Sequence, residues 1–171
     1  MTLKKLPIGI QTFSEIREED YVYIDKTGLA YELLQSYKYV FLSRPRRFGK
    51  SLFLDTLRNI FEGNKDLFAG LAIEDRWDWS VSYPVIQISF AEGKLKSVKD
   101  LEDKFEEIFL QNQQRLGITC QFDARDRRCF SELIRKAHAK YNQKVVILVD
   151  EYDKPILDNW TGYNPSYTKT R

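Results

Sequence analysis

Eight residues at positions 44–51 have the types and spacing of a phosphate-binding loop. The run RPRRFGKS follows a short apolar segment at 39–43, and its last three residues open a predicted helix. A helix N-terminus carries unpaired N–H groups and the positive end of the helix dipole, so it attracts phosphate. Gly49 lets the backbone approach a phosphate closely, Lys50 supplies charge for the outer phosphates, and the Ser51 hydroxyl can ligate magnesium.

The loop departs from the general pattern at its first position. That pattern has a glycine, four variable residues and then Gly-Lys-Ser or Gly-Lys-Thr, but Arg44 stands where the first glycine is expected. Arginine adopts a positive φ angle only at a cost, and Pro45 stiffens the chain further, so the loop must enter the helix differently. Taken alone, the run would also fit a basic turn before a helix.

A second segment supplies the acidic groups that such a loop requires. Residues 145–149 are consecutive aliphatic residues, followed directly by Asp150 and Glu151. They predict a strand buried on both faces of a parallel sheet, and open α/β sheets bind ligands at the carboxyl ends of their strands. We therefore expect Asp150 to bind magnesium and Glu151 to activate the water that attacks the γ-phosphate. The alternative is a core strand that ends in a solvated acidic loop.

Together with several shorter segments, these two runs resemble the AAA-ATPase-like family of bacterial P-loop proteins. The shorter segments are residues 5–10, 23–27, 77–79 and 83–85. The family's loop also has arginine in place of the first glycine, so by resemblance Arg44 is a family feature. The resemblance, which extends to about Asp158, implies ATP and Mg²⁺ as ligands. It implies an α/β fold of the P-loop NTPase kind, a three-layer sandwich with a mostly parallel sheet.

Roles for individual residues follow from the motifs and the resemblance. The expected nucleotide-binding residues are Arg46, Arg47, Phe48, Gly49, Lys50 and Ser51. The expected magnesium ligands are Ser51 and Asp150, and the expected catalytic residue is Glu151. The loop arginines would reach phosphate oxygens, or alternatively would form a surface that meets nucleic acid or an acidic partner.

Three functions fit this sequence. The first is ATP binding, with magnesium-dependent hydrolysis in the full-length protein. The second is a nucleotide-dependent interaction module that does not hydrolyse ATP. The third is nucleic-acid binding through the loop arginines together with Trp77 and Trp79, although these tryptophans are better explained as apolar plugs over the core. A net charge of +2 is too small to indicate bulk nucleic-acid binding by itself.

The composition fits one soluble cytoplasmic domain. A hydrophobic content of 43% in 171 residues is sufficient for a core, and no apolar stretch approaches the roughly 20 residues of a membrane span. The spacing of Cys120 and Cys129 does not fit a zinc site. We expect both to be free thiols, which suit a reducing cytoplasm.

The end of the chain predicts a truncated domain. Residues 1–158 are expected to form the N-terminal part of the P-loop domain, and residues 159–171 an irregular polar tail. By resemblance, a further sheet strand would follow Arg171, so we expect weak stability and little turnover from the isolated chain. The resemblance also implies a restriction-endonuclease-like nuclease domain, or nucleic acid, as a partner in the full-length protein.

Hydrophobic periodicity and capping signals predict the elements that position these motifs. Strands are predicted at 21–24, 39–43 and 85–90, before the acidic strand. Helices are predicted at 27–34, 50–61, 98–115 and 130–141, with Thr27 as a cap of the first.

Overall fold

The computed structural model describes residues 3–45 and 47–160 of the chain, with the side chains of residues 159 and 160 excepted. Within that part the helices are α1 (Phe13–Glu18), α2 (Thr27–Ser36), α3 (Lys50–Glu62), α4 (Val98–Leu116), α5 (Arg127–Tyr141) and α6 (Lys154–Trp160). A 3₁₀ turn at Lys65–Phe68 follows α3, and the strands are β1 (Val85–Ser89) and β2 (Val146–Asp150).

The two strands form a parallel sheet. Val146 N–H donates to Pro84 C=O at 3.0 Å where the strands begin, and Phe90 N–H donates to Asp150 C=O at 3.2 Å where they end. Parallel strands need a long crossover connection, and the segment between β1 and β2 contains α4 and α5. The predicted mixed α/β class is therefore confirmed, with parallel strands at 85–89 and 146–150, close to the two predicted positions.

Two other predicted strands are wrong. Residues 21–24 and 39–43 have no strand structure, and the side chains of Tyr39 and Phe41 are 84% and 68% exposed. An apolar run becomes a strand only when a neighbouring strand satisfies its N–H and C=O groups. Burial of β2 on both faces is also wrong, because Leu148 is buried whereas Ile147 and Val149 are each 41% exposed.

The chain divides into two compact units. The first unit comprises Met1–Val85 and Gln143–Leu148. Its core consists of Phe13, Ala30, Leu57, Ile60, Phe68, Ile73, Val85 and Leu148. Trp77 and Trp79 pack against this core, Trp79 with its ring centroid 5.0 Å from that of Phe68. Their prediction as apolar plugs is confirmed.

Buried polar groups fix α3 within the first unit. The Asp55 carboxylate accepts a hydrogen bond from Phe13 N–H at 2.7 Å and forms an ion pair with Arg58 at 2.6 Å. Asn59 donates to the Asp55 carbonyl at 2.8 Å. One side chain of α3 thus satisfies the first N–H of α1. The helix ends at Gly63, whose φ of 78° is the left-handed conformation that glycine adopts readily.

Asp25, rather than Thr27, closes the start of α2. Its carboxylate accepts hydrogen bonds from the Thr27 N–H and hydroxyl, each at 2.7 Å, and from Ala72 N–H at 2.7 Å. Thr27 is the first helical residue, and Lys26 at the cap position makes no side-chain capping bond. The prediction of Thr27 as the cap is therefore wrong, because the preceding carboxylate takes that role.

The second unit comprises Ile86–Asn142 and Val149–Arg171. Asn112 of α4 both donates to and accepts from the backbone of Gln87, at 2.7 and 2.9 Å, and this amide pair fixes α4 to β1. The helix begins with a capping box between Ser97 and Asp100 and ends at Gly117. Phe109 of α4 stacks on Phe130 of α5 with centroids 5.7 Å apart.

The prediction of two free thiols is wrong. Cys120 and Cys129 are joined by a disulfide with their Cα atoms 5.7 Å apart. The two cysteines are nine residues apart in the sequence. Glu132 of α5 accepts hydrogen bonds from the N–H groups of Gln121 and Phe122, and these bonds hold the segment after Cys120 against α5.

None of the helices in the described part of the chain has both the length and the apolar character of a membrane span.

Candidate functional site

The loop at 44–51 lies in the first unit and enters α3 through left-handed backbone. Gly49 is the cap of α3 with φ 71°, and Arg47 has φ 66°. A side chain at position 49 would meet no atom within 4 Å, so the backbone angle alone explains the glycine. Arginine at a positive φ is uncommon, and such backbone strain concentrates at functional sites. Arg46, predicted to bind nucleotide, lies outside the described residues.

The side chain of Lys50 folds back over this loop. Its Nζ donates to the Arg44 carbonyl at 2.7 Å and lies 3.4 Å from the Pro45 carbonyl. The first four N–H groups of any α-helix have no partner within the helix, and Lys50 and Ser51 are the first two residues of α3. The loop therefore combines a cation held by neutral acceptors with N–H groups of a helix N-terminus, which is an arrangement suited to an anion.

Most of the other described residues of the loop are open to solvent. Arg44 and Arg47 are exposed, and the Phe48 side chain is 60% exposed. Ser51 is half-buried in the first turn of α3. The first unit thus contains Arg47, Phe48, Gly49, Lys50 and Ser51 on one short, accessible segment.

The acidic pair lies in the second unit, where backbone contacts hold it. Asp150 is 8% exposed, and its Oδ1 accepts the N–H of Glu151 at 3.0 Å. Its carbonyl accepts Phe90 N–H at 3.2 Å, and the Glu151 carbonyl accepts Lys154 N–H at 3.0 Å. Glu151 itself is half-buried and has φ 52°, which is the left-handed region.

Two residues near the pair were missed by sequence reasoning. Lys154 donates through Nζ to the carbonyls of Ala91, at 3.2 Å, and Gly93. Asp158 accepts the N–H of Leu95 at 3.0 Å. The available signal was a lysine and an aspartate four residues apart directly after the acidic pair, but a spacing of four does not identify backbone partners about 60 positions earlier.

The donor chemistry of the predicted metal ligands fits magnesium. Among the described residues, no group of three or more His, Cys, Asp or Glu side chains is arranged to hold a metal. Mg²⁺ is usually bound by one or two protein oxygens together with substrate phosphates, rather than by a cage of protein ligands. The Ser51 hydroxyl and the Asp150 carboxylate are hard oxygen donors of that kind.

The structure defines the class of protein as a mixed α/β fold with a parallel sheet. Within that class, the chain belongs to the AAA-ATPase-like family, whose model, described as "Predicted AAA-ATPase", matches residues 7–171. The family predicted from the sequence is therefore confirmed.

One curated relative shares most of this sequence. It is an "Uncharacterized protein in vnfD 5'region" of Azotobacter chroococcum mcd 1, and it is 58% identical over 162 residues. The alignment covers 94% of this chain but 31% of the relative, so the chain spans about a third of that protein's length. No solved structure matches the chain.

Proposed function

We propose that this chain is the nucleotide-binding part of a P-loop ATPase, which binds ATP with Mg²⁺ and hydrolyses ATP in its full-length form. The observation that carries the proposal is the Lys50 side chain, which folds over the loop and donates to the Arg44 carbonyl at 2.7 Å. An ammonium in that place can exchange its carbonyl acceptors for the oxygens of a phosphate, because phosphate oxygens make stronger, charge-assisted hydrogen bonds than carbonyls do.

The proposed roles follow from the chemistry of each segment. In the first unit, Lys50 binds the β- and γ-phosphates, and the backbone of residues 46–51 surrounds them. Ser51 and Asp150 are the residues that would hold Mg²⁺, which when bound neutralises charge on the phosphate oxygens. Glu151 orients the attacking water by accepting its hydrogen bond.

The proposal extends to the fold and to the larger protein. The sheet of β1 and β2 would belong to a three-layer P-loop sandwich of which residues 1–158 form the N-terminal part. Membership of a family described as a predicted AAA-ATPase supports this architecture and the choice of ATP. A nuclease domain or nucleic acid as partner, and a cytoplasmic location, stay predictions.

Titration calorimetry tests the nucleotide site directly. ATP is titrated with and without Mg²⁺ into the wild-type chain, into Lys50→Ala and into the control Lys65→Ala, which removes an exposed lysine from the same unit. We expect micromolar, magnesium-dependent binding that weakens about 100-fold in Lys50→Ala, since a charge-assisted contact is worth roughly 3 kcal/mol. The control should bind like the wild type.

Two results would contradict the proposal. One is equal ATP affinity of Lys50→Ala and the wild type. The other is a wild-type chain that is folded by circular dichroism and binds no ATP. Binding to a DNA or RNA oligonucleotide that weakens steeply with salt, with no ATP binding, would favour the nucleic-acid alternative instead.

A further inference from the structure

In the second unit, hydrogen bonds on both sides of the acidic pair connect it to the end of β1 and to the segment that follows β1. Together with the covalent chain these bonds form a closed circuit. It begins at the end of β1, where Phe90 N–H bonds to the Asp150 carbonyl. It continues through Glu151, whose carbonyl accepts Lys154 N–H. The Lys154 ammonium then returns to the segment that follows β1 by donating to Ala91 and Gly93 carbonyls.

Asp158 adds a second attachment to the same segment. Its Oδ2 accepts the N–H of Leu95 at 3.0 Å, and Leu95 is 3% exposed. We refer to Lys154 and Asp158, with the backbone of residues 91–95 that they bind, as the clasp. Gly93 has φ 78°, a conformation that glycine adopts without the steric cost other residues meet.

The clasp differs from an ordinary helical ion pair. A lysine and an aspartate four residues apart on a helix usually serve each other. Here their charged atoms are 4.0 Å apart, whereas Asp158 lies 3.0 Å from the Leu95 nitrogen and Lys154 3.2 Å from the Ala91 oxygen. Both side chains therefore bond to the backbone of the segment after β1 at shorter distances than they approach each other.

The residue enclosed by this circuit has an unfavourable backbone conformation. Glu151 has φ 52°, and a non-glycine residue remains in that region only when the surrounding contacts require it. One side of Glu151 is fixed by Asp150, whose carbonyl accepts the N–H of Phe90 directly after β1. The other side is fixed by α6, which is bonded to residues 91–95. The clasp supplies the second of these attachments.

We propose that Lys154 and Asp158 are positioning residues that hold Glu151 in its left-handed conformation, and so set the direction of its carboxylate. This inference rests on the proposed function, in which Glu151 orients the attacking water. Neither clasp residue needs to touch the nucleotide. Loss of the clasp should therefore lower the rate of hydrolysis at saturating ATP more than the affinity for ATP.

The test compares four variants of the full chain. Lys154→Met removes the ammonium but keeps an apolar stem, Lys154→Arg keeps a charged donor, and Asp158→Ala removes the acceptor. Lys99→Met is the control, because Lys99 is an exposed lysine of the same unit. Measurements are the backbone NMR shifts of Glu151, amide exchange at Leu95 and ATP affinity in this chain, and the single-turnover rate with protein in excess in the full-length protein.

In Lys154→Met we expect the Glu151 shifts to move and exchange at Leu95 to rise at least about 10-fold. The single-turnover rate should fall about 10-fold, with ATP affinity changed less than about 3-fold. Asp158→Ala should show the same pattern, Lys154→Arg should recover part of the rate, and Lys99→Met should match the wild type.

The readouts separate this inference from the proposed function. Unchanged Glu151 shifts and Leu95 exchange in Lys154→Met overturn the clasp, whatever the enzyme does. Altered shifts with an unchanged rate overturn the positioning role. A wild-type chain that binds no ATP refutes the proposed function, and with it the catalytic purpose of the clasp, while altered shifts would still support its hold on Glu151.

Discussion

The loop at 44–51 and the acidic pair are both proposed to serve one nucleotide, yet they are held in different ways. The Lys50 ammonium bonds to carbonyls five and six residues earlier in the chain. Asp150 and Glu151 are held through residues about 60 positions earlier, at the end of β1 and just after it. One segment is therefore closed by local contacts and the other by contacts remote in sequence.

This difference has a functional meaning. A local contact such as the one between Lys50 and Arg44 can be exchanged for a ligand without disturbing the fold. Remote contacts tie the backbone of a segment to another part of the fold and restrict its movement, and a group that orients a reacting water gains most from being fixed in advance. We infer that the loop adapts to phosphate, whereas the acidic pair is set before the nucleotide arrives.

The largest expected effect comes from changing the acidic pair, which holds the proposed catalytic residue. Glu151→Gln keeps the size of the side chain but removes the carboxylate that would orient water. We expect the single-turnover rate of ATP hydrolysis by the full-length protein to fall about 10³-fold, with ATP affinity retained. The control is Glu102→Gln on the exposed surface of α4. Turnover that is the same in both variants would favour a module that binds nucleotide without hydrolysing it.

The local half of this comparison was predictable from sequence, and the remote half was not. The glycine and lysine of the loop and the aliphatic run before Asp150 are contiguous patterns, so they located α3 and β2. Lys154 was missed because its acceptors are backbone carbonyls, and every residue carries one. The strand predicted at 39–43 was wrong because an apolar run does not reveal whether a neighbouring strand is present.

The start of α5 shows a similar limit on a smaller scale. A helix was predicted from Phe130, and the structure begins it at Arg127. Asp126 caps that helix by accepting Arg128 N–H at 2.8 Å, and its carboxylate also pairs with the Arg128 side chain. Two opposite charges close together in the sequence are thus paired at the start of a helix, where the sequence pattern did not place one.

The next effect concerns the scaffold beneath the loop. Asp55→Ala should destabilise the chain by about 3 kcal/mol, because it leaves Phe13 N–H without its acceptor and Arg58 without its counter-ion in a largely buried place. Urea unfolding measures the change, with Asp75→Ala at an exposed site as control. If the local character of the loop is right, folded Asp55→Ala should bind ATP like the wild type. A stability loss no larger than in the control would contradict the role of Asp55.

A smaller effect in the same unit depends on pH. Partial burial acts to raise the pKa of Asp25, but hydrogen bonds from Thr27 and from Ala72 N–H outweigh it and hold that pKa below its usual value. A carboxyl with a lowered folded-state pKa stabilises the fold above its unfolded pKa and loses that contribution as pH falls through the folded value. Asp25→Ala should therefore cost about 1.5 kcal/mol at pH 7, discounted because water reaches the carboxylate.

The pH series supplies the check on Asp25. Urea unfolding of wild type and Asp25→Ala is compared at pH 7 and at steps below pH 4, where an unfolded aspartate begins to protonate. The stability difference should shrink steadily as pH falls. A difference that stays constant would mean that the variant loses packing or helix propensity rather than the charged hydrogen bonds.

The smallest expected effects set the two left-handed residues against each other. Gly49→Ala places a Cβ in open space at φ 71°, so its cost should be the backbone term alone, about 1 kcal/mol. At φ 52°, Glu151→Gly should be more stable than Glu151→Ala by about 0.5 kcal/mol, because glycine relieves the strain but loses more entropy on folding. Urea unfolding of these three variants measures both differences.

If the clasp fixes the backbone at residue 151, combining each variant with Lys154→Met should reduce the advantage of glycine, because the released backbone no longer needs the left-handed conformation. The cost at residue 49 should stay the same in the Lys154→Met background, since the Lys50 contacts that close the loop are local. Equal responses at the two positions would remove the distinction between local and remote support.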